Sequence, residues 1–241
     1  GTSSDSTISV RLQSFDSDGF TVGSNAEVNV SGGNIVAWCW DAGSTDGKTY
    51  TVKVVSDGGN KYRFDDYGTS AVTLDLAEGG SYVFDQSDSS NDGHPMKFST
   101  TSNGSHGGGS TYSTGVTYEL DGVAKSESDY VSEFNSATTR QLKITVAASA
   151  PTLYYWCHYH SGMGGAINTN ATKGSSNFDG AIQSVVKANP DRGFSIVAWT
   201  GDGGQTTVGH GLGATPQIVI QKKRSGTSDW WFYTTAIDGS C

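Results

Sequence analysis

Between Tyr50 and Phe84, short extended runs recur about every ten residues with Gly, Asp and Asn between them, which is the rhythm of strands in a sandwich. The runs are Tyr50-Thr51-Val52-Lys53-Val54-Val55, Lys61-Tyr62-Arg63-Phe64, Val72-Thr73-Leu74-Asp75-Leu76 and Ser81-Tyr82-Val83-Phe84, with Glu78-Gly79-Gly80 as a turn before the last. Later runs at Gly115–Leu120 and Gln141–Val146 continue the pattern, and the polar stretch between them, Lys125 to Thr139, reads as a short helical turn. With 33 Gly, 4 Pro and 11% aromatics, the composition suits many short strands joined by tight turns. The expected class is all-β.

A net charge of −9 and the lack of any basic run argue against binding nucleic acid through phosphate neutralisation. No run of about eighteen apolar residues appears, so no membrane span is expected. Gly1 reads as a processed terminus or as a cut within a longer polypeptide, since neither an initiator Met nor a signal peptide precedes it. The chain shows no G-x-S-x-G elbow and no H-E-x-x-H, and its carboxylates are scattered through turns, so no enzyme is expected. Asp16-Ser17-Asp18-Gly19 and the acidic Asp85–Asp92 segment read as turn and loop rather than as calcium sites.

Chemistry concentrates in Thr152-Leu153-Tyr154-Tyr155-Trp156-Cys157-His158-Tyr159-His160-Ser161-Gly162-Met163-Gly164-Gly165. An aromatic run there ends in a Gly-bounded loop that carries thiol, imidazole and thioether groups together. A trigonal His2Cys set with a weak axial Met selects copper, and C-x-x-H-x-x-M supplies three of those four donors. The second histidine must come from another segment. Of His94, His106 and His210, His94 is the best placed, between the turn Asn91-Asp92-Gly93 and a new extended run, whereas His106 sits in a glycine-rich loop. His158 and Met96 are spare donors. With three Cys in the chain, a liganding Cys157 leaves Cys39 and Cys241 as the one pair open to bridging.

From about Lys48 to Gly165 the chain resembles a cupredoxin, a Greek-key sandwich in which a histidine from an earlier loop meets a C-x(2)-H-x(2–4)-M loop between the last two strands. The resemblance implies a copper site made of His94, Cys157, His160 and Met163. One departure concerns the residue after the first histidine, often Asn in blue copper proteins, where its side chain braces the ligand loop. Here it is Pro95, which can donate nothing.

Residues outside that stretch return to one composition: Phe194-Ser195-Ile196-Val197-Ala198-Trp199 echoes Ile35-Val36-Ala37-Trp38-Cys39-Trp40, an apolar run that reads as a strand buried on both faces. The expected organisation is an outer β-domain built from 1–46 and 167–241, with the cupredoxin-like sandwich, 47–166, inserted at a surface turn. The Asp41-Ala42-Gly43 and Ala166-Ile167-Asn168 junctions would then lie close together.

The outer segments Asp18–Gly23, Val36–Gly43, Gly193–Val197 and Val208–Gly213 resemble an uncharacterised β-domain of structural proteins in marine tailed bacteriophages, especially cyanophages. That resemblance implies a virion component, such as a capsid decoration, tail or fibre appendage, located on the virion surface. Its partners would be other virion proteins, further copies of the chain and a host receptor or glycan. The aromatic run Trp230-Trp231-Phe232-Tyr233 offers apolar surface for such assembly. The alternative is a secreted, copper-binding electron carrier.

Overall fold

The computed structural model describes residues 11–17, 19–26, 28–35, 37, 39–41, 43, 47–169 and 174–235. Its strands, in chain order, are β1 (Leu12–Asp16), β2 (Gly19–Val22), β3 (Gly47–Ser56), β4 (Asn60–Phe64), β5 (Leu74–Asp75), β6 (Ser81–Asp85), β7 (Met96–Ser99), β8 (Val116–Leu120) and β9 (Val123–Lys125). After helix α1 (Glu127–Glu133) come β10 (Arg140–Thr145), β11 (Leu153–Cys157), β12 (Gly165–Asn168), β13 (Ser175–Asn177), β14 (Ser184–Asn189), β15 (Phe194–Trp199), β16 (Ile218–Gln221) and β17 (Trp231–Thr234). The described residues are all-β in character, with one short α-helix in the polar Lys125–Thr139 stretch, where a helical turn is expected.

Two compact units make up the chain: Gly1–Trp40 with Ala214–Cys241, and Asp41–Gly213 between them. In the larger unit a six-stranded sheet runs β4-β3-β6-β10-β8-β9 and a four-stranded sheet runs β5-β12-β11-β7. Alternation places Tyr50 and Val52 of β3, Tyr82 and Phe84 of β6 and Leu142 and Ile144 of β10 on the buried face. They meet the buried residues of the other sheet, with Phe84 edge-on to Phe98 at 5.4 Å and Phe64 edge-on to Tyr155 at 5.1 Å. This is a sandwich-like core. All four residues of β7 are buried and only Tyr154 of β11 is not fully so, hence this part of the second sheet is covered on its outer side too.

The domain boundary expected at 166/167 falls within the larger compact unit. Residues 165–168 form β12, paired antiparallel with β11 and parallel with β5, and the larger unit continues through a third sheet, β13-β14-β15, to Gly213. Phe178 enters the core beside Tyr50 and Phe64, and the Tyr50 hydroxyl donates to Ser176 O at 2.9 Å. Composition missed this because 175–199 reads like the outer segments while its side chains complete the sandwich. Asp41 and Gly43 lie beside Asn189, whose Nδ2 donates to Asp41 O at 3.2 Å.

In the smaller unit β1 pairs with β2 and β16 with β17. The strand read at Ile35–Trp40 does not form among its described residues, and Ile35 and Trp40 are exposed where burial on both faces was expected. Cys39 is a free, exposed thiol, and Cys241 lies outside the described residues.

Candidate metal centre

Register brings the site together. In the β7–β11 pair Met96 faces Cys157 and Lys97 faces Trp156, so the segment entering β7 lies beside the end of β11. His158 N donates to Pro95 O at 2.9 Å, extending that alignment past the last ladder pair. His94 therefore reaches Cys157 although 63 positions separate them in sequence. The return loop into β12 then folds His160 back over the same sulfur.

Cys157 Sγ lies 3.7 Å from His94 Nδ1 and 3.6 Å from His160 Nδ1, and the three donor atoms all lie within 4.8 Å of one another. A metal with a sulfur bond of about 2.3 Å and nitrogen bonds of about 2.0 Å holds S and N about 3.5 Å apart at a tetrahedral angle and about 3.7 Å apart at a trigonal one. The observed spacing fits an ion between them. Cys157 and His94 are buried and His160 is exposed, so the cluster reaches the surface at one edge. Met163 is buried in the same core cluster as Cys157.

Burial and the neighbouring His160 charge lower the pKa of His94, favouring the neutral ring that metal binding requires. Burial raises the Cys157 thiol, opposed by hydrogen bonds from the His160 and Tyr159 amides. Those two donors favour the thiolate, the form a metal takes.

The His94 loop is held by buried polar groups. His94 N donates to Asn91 O at 2.8 Å, while its carbonyl accepts from Gln86 Nε2 at 3.0 Å and from the Tyr62 hydroxyl at 2.8 Å. Asn91 Nδ2 donates to Val52 O at 2.8 Å, and Arg140 pairs with Asp92 at 2.6 Å. These contacts do what Pro95 cannot. The acidic residues leading into the loop are engaged locally, Asp85 accepting from Ser87 and Asp88 from Ser90 N.

Of the spare donors, Met96 is packed in the core, and His158 turns away from the cluster to lie 3.0 Å from Lys97 Nζ. His106, read as a loop residue, donates from Nε2 to Cys157 O at 3.1 Å and lies edge-on to Trp156 at 5.7 Å. It braces the ligand-bearing strand from behind. Its turn packs this closely because Gly104 lies over Trp156 at φ +54°, where a Cβ would fall 2.1 Å from the ring. Asn60 and Tyr62 carried no sequence signal as site residues, because both reach the cluster from β4, 34 and 32 positions before His94.

A family model described as a domain of unknown function (DUF7483) matches residues 1–83 and 145–240. The chain belongs to this family. Cys157, His160 and Met163 lie within the DUF7483 match, as do Asn60 and Tyr62, whereas His94 and Gln86 lie in the stretch between its two parts. Comparison with curated proteins and with solved structures gives no match.

Proposed function

We propose that residues 41–213 form a cupredoxin-like Greek-key module that binds copper through His94, Cys157 and His160, with Met163 as a weak axial ligand. The observation that carries this reading is the pair of distances, 3.7 and 3.6 Å, from one buried cysteine sulfur to two histidine Nδ1 atoms. A thiolate with two imidazoles, to which Met163 would add a thioether, is a soft donor set that suits copper better than calcium or magnesium. Bound copper supplies one-electron chemistry, and the protein's part is to fix the donors and keep the thiolate dry. The exposed edge at His160 supports the second reading, electron exchange with a soluble partner.

The context we propose is a phage virion surface component, a capsid decoration or a tail or fibre appendage. It rests on the resemblance of the outer segments. The exposed side chains of Trp231, Phe232 and Tyr233 on β17 and of Ile218, Val219 and Ile220 on β16 support association with other virion proteins or further copies.

Adding Cu(II) to the purified chain tests the site. An intense thiolate-to-copper absorption in the visible and a higher melting temperature are expected, and Cys157→Ser should lose both. Met163→Leu should keep binding and raise the reduction potential. Equal copper uptake by wild type and Cys157→Ser would refute the reading.

A further inference from the structure

Strand β4 touches both arms of the donor cluster. The Tyr62 hydroxyl donates to His94 O at 2.8 Å, Tyr62 N donates to Met163 O at 3.0 Å, and Lys61 Nζ donates to Gly162 O. At the end of the same strand, Asn60 Nδ2 lies 3.3 Å from Nε2 of His94, the ring nitrogen turned away from the sulfur.

We propose that Asn60 is the positioning residue of the site, a reversible partner for His94 Nε2 that decides which ring nitrogen carries the proton. This rests on the metal reading above and adds its regulation. A neutral imidazole carries one proton and one free lone pair. With Asn60 Nδ2 donating to Nε2, the proton lies on Nδ1, facing Cys157 Sγ at 3.7 Å, and Nδ1 cannot bind a metal. A half-turn of the amide puts Oδ1 against Nε2. The proton then lies on Nε2, and the Nδ1 lone pair is free toward Cys157 and His160. An amide can do both because it carries a donor and an acceptor on one two-fold torsion. Asn60 thus lets the site rest metal-free with its histidine satisfied and hold a metal with the same ring orientation, a role that Pro95 cannot take.

The test reads the His94 tautomer by nitrogen NMR of the metal-free chain at about pH 8, where an ordinary imidazole is neutral. Wild type, Asn60→Asp and Asn60→Leu are compared, and calorimetric titrations with Cu(II) and Co(II) follow. Wild type should show the proton on Nδ1. Asn60→Asp, whose carboxylate can only accept, should move it to Nε2, and Asn60→Leu should leave no preference. Copper affinity should fall roughly 10- to 100-fold in Asn60→Leu and be kept in Asn60→Asp. The exposed Asn60 side chain leaves no buried gap when replaced, so metal-free melting temperatures should agree. An unchanged tautomer in Asn60→Asp, or undiminished copper affinity in Asn60→Leu, overturns the proposal. If none of the three proteins takes up either metal, the copper reading fails, and the tautomer alone still decides the role of Asn60.

Discussion

The fully buried Gln86 amide accepts from Met96 N and the Tyr130 hydroxyl, each at 2.9 Å, and donates to Asn91 Oδ1 at 3.1 Å and His94 O at 3.0 Å. Replacing it with Leu would leave these partners short of bonds in a space that water does not reach. Gln86→Leu is therefore expected to cost about 3 kcal/mol or more, read by urea unfolding, and to loosen the His94 loop. The Tyr62→Phe change removes one donor from a carbonyl that keeps the other, so its cost should be nearer 1 kcal/mol. An equal cost for the two changes would show that Gln86 is not the hub. Cys157 and His160 were legible in the sequence because their chemistry is rare and their spacing tight, and His94 because it sits between a turn and a strand. Gln86 was illegible: beside acidic and Ser residues it reads as one more polar loop position, and only the fold shows that it is buried.

Elements with strong alternation, such as β3, β6 and β10, formed where the sequence reading put them, because each has one face to bury. Ile35–Trp40 is just as apolar and formed no strand among its described residues, since apolar composition alone fixes no element. Helix α1 is tied to the second sheet by a charge. Ser126 caps it, and Glu127 in its first turn pairs with Lys97 of β7 at 2.6 Å and accepts from Thr111. Burial acts to raise the Glu127 pKa, but the hydrogen bonds and charge of Lys97 and Thr111 win and lower it overall. A carboxylate depressed in the folded state contributes stability above its unfolded pKa and loses it as pH falls through the folded value. Stability should therefore drop below the ordinary carboxylate range, and Glu127→Gln should be less stable than wild type at neutral pH and show a flatter acid limb. A wild-type acid limb unchanged by Glu127→Gln would mean that the pair is a passive surface contact.

At the scale of the whole chain, the division at Asp41 and Gly213 makes a claim that differs from the composition boundary at 47–166. Ile167 is fully buried and pairs with Leu74, Phe178 lies against Tyr50 and Phe64, and Ser176 accepts the Tyr50 hydroxyl through its carbonyl and an Asp75 amide through its side chain. Cutting at 166 removes all of these and leaves the Tyr50 hydroxyl without its acceptor. Loss of one buried Phe alone costs about 3–5 kcal/mol, a large share of what a domain of this size has. Residues 41–213 expressed alone should unfold in one cooperative transition, and residues 47–166 should be unfolded or collapse without fixed packing. The metal cluster adds a second reading of the same experiment, because His94, Cys157 and His160 lie in both pieces while only the longer keeps the strand that seats the return loop, β12, paired with β5. Calorimetry and near-ultraviolet circular dichroism on the two pieces decide between the boundaries, and a well-folded 47–166 would show that the sandwich closes without β13, β14 and β15.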